Sequence, residues 1–442
     1  SMVGALAYTF TDSFWFSAVE GEVYAMSSFC TALVFWAILK WEQVADQKDS
    51  LRWIILIAYI VGLSIGVHLL NLLTVPAIVF VIYFKKFKPT FWGGVKAFVL
   101  SIFILAFILY GIVPGIVWLF GKFELLFVNG FGLPFNSGTI FFALLIIGLL
   151  VWGYRYTVKH DRPVVNAMVL AFTFILIGYT TFLILVIRSN ANTPIDENNP
   201  EDAVSLLAYL NREQYGSTPL FKGPYYNAPA IRAEDGNPVY ARDDKAGKYV
   251  IIDDKKGTEM VYDPRYTTLF PRMWSNQQAQ HIANYKSIAG IKNDPENLKI
   301  PTFGQNLWFM TDYQLGYMYL RYFMWNFVGR QNDVQGYGDV FNGNWISGIN
   351  FLDEIRLGPQ DNIPNSMKSK GRNVYFFLPF LLGIIGLFFQ FSKDRHNAII
   401  VTMLFFMTGL AIALYLNMAA YQPRERDYAF AASFYAFAMW IG

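Results

Sequence analysis

The sequence predicts a polytopic α-helical membrane protein with a polar α+β domain inserted into its second half. Three observations carry that fold class. Of the 442 residues, 55% are hydrophobic and 15% charged, where soluble domains carry about a quarter charged. Several apolar runs approach the roughly 20 residues that a bilayer-crossing helix needs. Residues 190–372 then break the pattern, being rich in Asn, Asp, Gly, Pro and Tyr with no spanning run. The chain therefore reads as a first part of a transmembrane bundle at 1–189, an external α+β domain at 190–372, and further membrane helices at 373–442, the last cut short.

Composition also excludes. A net charge of +3, with no basic run interleaved with aromatics, argues against a nucleic-acid partner. The single cysteine, Cys30, rules out an intrachain disulfide. The chain opens on Ser-Met inside one hydrophobic stretch and stops inside another, with no signal-peptide pattern, so it reads as an internal portion of a longer protein.

Taken in order, Ser1 to about Phe10 reads as the end of a membrane segment, Thr11–Gly21 as a loop, and about 22–40 as a span. Lys40, Lys48 and Arg52 follow and mark the cytoplasmic side by the positive-inside bias, which places Glu20 and Glu22 outside. The block 53–84 is flanked by basic residues at both ends. It must leave and return as a hairpin of two short helices, its tip near Gly66-Val-His-Leu-Leu-Asn71. About 97–113 crosses outward. Pro114–Asn136 mixes Trp118, Lys122, Glu124, Asn129 and Pro134 with apolar residues, which suggests an interfacial or re-entrant element. Spans at about 138–153 and 165–187 complete the first part.

In the polar region, Asn198-Asn-Pro-Glu-Asp202 is a helix-start signal with Asn199 as N-cap and Pro200 in the first position. Ala203, Leu206, Leu207 and Leu210 give that helix one apolar face. Short runs at 238–241, 248–252 and 258–262, separated by turns ending at Gly247 and Gly257, predict a β-meander. The aromatic run Leu307–Val328 reads as a helix lying on or near the membrane surface, where Trp and Tyr concentrate. Spans at about 374–391 and 398–417 follow, then the loop Tyr421-Gln-Pro-Arg-Glu-Arg-Asp-Tyr428, placed outside by alternation.

Three charged or polar features thus gather at the outer face: Glu20 with Glu22, His68 with Asn71, and Arg424-Glu-Arg-Asp427. Arginines grip a phosphate or pyrophosphate bidentately, and a carboxylate can take the proton of an incoming hydroxyl. Residues i and i+2 of a helix do not share a face, so one of Glu20 and Glu22 should point inward. The bland alternatives are a structural histidine at 68 and a self-neutralising surface turn at 424–427. Walker-type, GxGxxG, GxSxG and HExxH patterns are absent, and four scattered histidines with one cysteine argue against zinc.

Phe14-Trp-Phe-Ser-Ala-Val-Glu-Gly-Glu-Val-Tyr24, Gly66–Asn71, Asn199-Pro-Glu-Asp202 and Tyr421–Tyr428 resemble a large bacterial multi-pass family. That family is similar to the vertebrate transmembrane protein O-mannosyltransferases and, more distantly, to the GT-C glycosyltransferase superfamily. The resemblance implies a GT-C-like helix bundle in the bacterial inner membrane with its large domain periplasmic. It also implies an inverting mechanism, a polyprenyl-phosphate sugar such as a mannosyl lipid as donor, and Ser or Thr of exported proteins as acceptor. A Glu-Val-aromatic step matches Glu22-Val23-Tyr24 and favours Glu22 over Glu20 as the inward acid, with His68 assisting. Arg424 and Arg426, with Asp427 and Asn71 beside them, would hold the donor phosphate. A divalent metal is left open. The family's Asp-Ser/Cys-Gly-Glu motif of the first external loop does not occur here, so the resemblance puts the primary acid upstream of Ser1.

Two other classes compete. The chain could be a non-enzymatic subunit or scaffold of an envelope secretion or assembly complex, docking partners through 190–372. A transporter fits less well, because transporters bind substrate at mid-membrane and these charges cluster at one face.

Overall fold

A computed structural model describes residues 1–191, 193–196, 199–211, 218–236, 238–254, 259–292, 294–361, 363–365 and 368–442. Among the described residues, six helices are long and apolar enough to cross a membrane: Tyr24–Val44, Leu69–Lys86, Phe91–Gly130, Ser137–Lys159, Pro163–Ser189 and Arg395–Leu416. The shorter helix Leu378–Lys393 is also apolar, and small antiparallel pairs of strands lie between residues 222 and 374. The protein is a multi-pass helical membrane protein with an inserted strand-containing region.

The chain packs as two units, one of 1–29, 218–230 and 262–442, the other of 30–217 and 231–261. The divide falls inside the helix Tyr24–Val44.

In the second unit, the block predicted as a hairpin forms the helix Leu51–Ile65, a break at 66–68, and the helix Leu69–Lys86, whose first six residues have 3-10 geometry. Leu51–Ile65 packs on Pro163–Tyr179 through two glycines. A Cβ on Gly178 would meet Tyr59 O at 2.6 Å, and one on Gly62 would collide with Ile175 O. Small residues bring backbones this close where lipid supplies no hydrophobic drive between helices.

The segment Pro114–Asn136 is not re-entrant. Phe91–Gly130 runs as one helix, about 60 Å at 1.5 Å per residue, twice a hydrocarbon core. Pro114 does not break it because the turn before it, Phe107–Ile112, is widened to π geometry. Such a bulge absorbs the missing N–H and the ring clash. The polar residues that suggested an interruption occupy its far end. There Glu124, fully buried, accepts the Asn136 and Thr139 amides at 2.6 and 2.9 Å and so caps the next helix, Ser137–Lys159.

Beyond the helices, the predicted cap at Asn199 gives way to Asp202, whose Oδ1 accepts from Val204 N and Ser205 N at 2.8 and 2.9 Å. Asn199 is instead a left-handed residue at φ 43°, so the helix starts later, at Ser205–Leu210. Asn198 and the turn ending at Gly257, with Thr258, lie outside the described residues. Nor are the strands a meander. Val239–Asp243 pairs with Lys248–Asp253, but Glu259–Tyr262 pairs with Ala230–Glu234, enclosing that hairpin. Asn129 fixes the hairpin by reciprocal bonds with the Tyr249 backbone at 2.8 and 2.9 Å.

The first unit is built on the aromatic run, as one helix from Phe303 to Phe327. Thr302 and Gln305 start it with a capping box. It does not lie on a surface: Tyr313, Tyr319, Tyr322, Phe323, Trp325 and Phe327 are buried in protein. Their rings pack on Phe380, Phe405, Phe430, Phe434 and Phe437 of the C-terminal segments. The stretch predicted as a loop, Thr11–Gly21, is largely a helix, Asp12–Val19. An N-capping Thr with an acid in the first turn is the signal it carries.

Candidate active site

Every feature of this site lies in the first unit. Glu20 and Glu22 follow the end of Asp12–Val19 in extended and bent chain, not in a helix. The i, i+2 argument therefore does not govern them. Glu20 is exposed. Glu22 meets Arg424, 402 positions later, at 2.9 Å. Arg424 also lies over the Tyr428 ring at 4.8 Å, and Tyr428 stacks on Tyr24 at 4.1 Å. The pair is half exposed, so the arginine is aimed yet remains reachable.

The loop Tyr421–Tyr428 is held by its middle residue. Glu425 accepts a two-pronged pair from Arg321 (2.7 and 3.2 Å), the Tyr322 hydroxyl at 2.6 Å and the Gly336 amide at 2.9 Å. Burial pushes the Glu425 carboxyl up, but Arg321, Tyr322 and the Gly336 amide together bring it below the usual carboxylate range. With Glu425 drawn into the protein, Arg424 on its one side turns toward Glu22. On the other side, Arg426 donates its amide to Tyr322 Oη at 3.0 Å and its guanidinium to Tyr428 Oη at 2.6 Å. Arg426 Nε is buried with no hydrogen-bond partner among the described residues.

The residue that sequence reasoning missed is Asp12. It opens the helix Asp12–Val19, where the dipole favours a negative charge, and it is buried. Ser13 and Asn326 exchange two hydrogen bonds of 3.0 Å and fix that helix start on the aromatic helix. Both Asp12 oxygens accept from Asn373 Nδ2 at 3.0 Å. Asn373 in turn lies opposite Arg330 in the two-residue ladder Gly329–Arg330 with Asn373–Val374. Arg330, itself buried over the Trp325 ring at 4.2 Å, faces Asp12 as a positive charge and Asp427 faces it as a negative one. Burial above all, with Asp427, pushes the Asp12 carboxyl up to about 6 against the pull of Arg330 and Asn373. Among the described residues, no group of three or more His, Cys, Asp or Glu is placed to hold a metal ion.

His68 and Asn71 belong to the second unit. His68 caps the turn Leu69–Thr74, its Nδ1 accepting from Leu70 N at 3.2 Å. Asn71 is fully buried and donates to Ser64 Oγ at 2.8 Å. The geometry gives both the work of shaping the hairpin tip.

This arrangement sets a buried carboxyl, Asp12, near the loop that carries Arg424 and Arg426. Residues 216–311 match a family of unknown function, DUF8416. No curated protein and no solved structure matches the chain. Residues 1–91, which include Asp12, Glu22 and His68, are similar to the N-terminal domain of the protein O-mannosyl-transferase TMEM260.

Proposed function

We propose that the chain is a membrane glycosyltransferase of the protein O-mannosyltransferase kind. It would transfer a sugar, mannose by the similarity, from a polyprenyl-phosphate carrier to Ser or Thr of exported proteins at the periplasmic face of a bacterial inner membrane. The observation that carries this reading is the pairing of Glu22 with Arg424 of the loop, within the similarity of residues 1–91 to an O-mannosyl-transferase.

Asp12, with its raised affinity for a proton, accepts the acceptor hydroxyl's hydrogen as the oxygen attacks the sugar C1. The C1–O bond to the phosphate breaks on the opposite face, so one displacement inverts the anomeric centre in the GT-C manner. The departing polyprenyl phosphate gathers negative charge, which Arg424 and Arg426 stabilise better than they stabilise the bound donor. Glu22 is a positioning residue in this scheme, since it holds Arg424 between substrates.

The test is transfer by the full-length protein in vesicles, using polyprenyl-phosphate mannose and a Ser/Thr peptide. Asp12→Asn should lower kcat by about 10²-fold or more, the scale of a lost general base. Arg424→Ala should chiefly raise the donor KM. Glu22→Gln should fold normally and impair the donor step. Unchanged turnover in Asp12→Asn would refute the assignment of the base, and absence of transfer by the wild type would refute the activity.

A further inference from the structure

The helix Asn350–Leu357 is turned inside out. Its Asp353 faces the protein, 2% exposed, and accepts from Ser347 N, Ser347 Oγ and Gly348 N at 2.8–3.1 Å. Its apolar side chains face away: Phe351 is 72% exposed, Ile355 73% and Leu352 41%. A surface helix in water does the reverse, with its apolar stripe on the core and its charges outward.

The apolar face does not end with the helix. Gly348, at φ +83°, packs so closely on Val374 and Phe376 that an added Cβ would come within 2.9 Å of both. Phe376 and Leu378 are themselves exposed, and from Leu378 the apolar helix Leu378–Lys393 begins. Leu381, Leu382, Ile385, Phe388 and Phe389 continue the exposed stripe along it. The short helix thus extends an exposed apolar surface that continues onto an apolar helix, where acyl chains are the natural cover in a membrane protein. A cation sits at its end: Arg356, in the last turn of the short helix, is held over the Trp345 ring at 3.6 Å. Such a cation suits anionic headgroups.

We propose that Asn350–Leu357 is an in-plane membrane anchor whose Phe351, Leu352 and Ile355 lie among lipid acyl chains. The occupant is the bilayer and not a protein. The anchor sets the depth of the segment Trp345–Gly348, which is bonded to the ladder carrying Arg330. It therefore fixes the level of that ladder relative to the headgroups. The inference requires only a membrane protein and stands apart from the transferase reading.

The test uses the full chain with Cys30 replaced by Ala and single cysteines at Phe351, Ile355 or Glu354. Each is spin-labelled in vesicles of zwitterionic and anionic phospholipid. Relaxation by oxygen is compared with relaxation by a water-soluble nickel chelate. Labels at 351 and 355 should favour oxygen, at depths of about 5–10 Å below the headgroups, while a label at 354 should favour nickel. Nickel access at 351 and 355 equal to that at 354 would overturn the proposal. So would shielding of both sites from both reagents, which would put a second protein surface there.

Discussion

Asp12 carries its charge against its surroundings, and the sign of that conflict is measurable. Its carboxyl is pushed up to about 6, against about 3.9 in an unfolded chain. Between those values the folded protein keeps a proton that the unfolded chain gives up. The associated stability is full below about pH 4 and falls as pH rises through about 6, by on the order of 2–3 kcal/mol. Transfer that needs the ionised base moves the other way and rises through the same window. Melting temperatures of wild type and Asp12→Asn should lie closest near pH 4 and part as pH rises to 7, the wild type falling below the variant, and only the wild type should show the activity rise. Glu22 and Arg424 were legible in the sequence because charges flanking apolar runs stand out. Asp12 was not, since its meaning comes from Asn373, 361 positions away, and from Arg330.

At the scale of elements, apolar runs gave up the helices readily, while helix ends and pairing partners stayed hidden. Pro114 looked like a stop because its effect depends on the π turn before it. The strand Glu259–Tyr262 looked like the third of a meander because its partner, Ala230–Glu234, carries an unremarkable sequence. The aromatic helix was misplaced on a surface because Trp and Tyr mark interfaces and packed cores alike. Helix contacts are where the glycines matter. Gly178→Leu should force Leu51–Ile65 off Pro163–Tyr179, costing about 1–3 kcal/mol or more, and thermal unfolding in detergent should register the loss. Ala at the exposed Gly148, where an added Cβ meets nothing, is the neutral control.

At the scale of the molecule, each unit holds a polar network of its own. Arg321→Met would leave Glu425 buried without its cation, and breaking such a pair costs about 3–5 kcal/mol. Hydrogen exchange should then speed up at the Gly336 and Arg426 amides, which depend on Glu425 and Tyr322. The Tyr249 amide, bonded to Asn129 in the other unit, should keep its protection. Uniform loss across both units would mean that they unfold as one.

The loop Tyr421–Tyr428 also has a meaning in time. Arg424 answers to Glu22 and Glu425 to Arg321, so its charges find partners in segments made at very different moments of synthesis. On a ribosome the N-terminal acids emerge more than 400 residues before the loop that meets them. Until that loop is threaded into place, Glu22 lacks the arginine it pairs with. The pairing of Glu22 with Arg424 therefore forms only once the loop Tyr421–Tyr428 has been made and threaded into place.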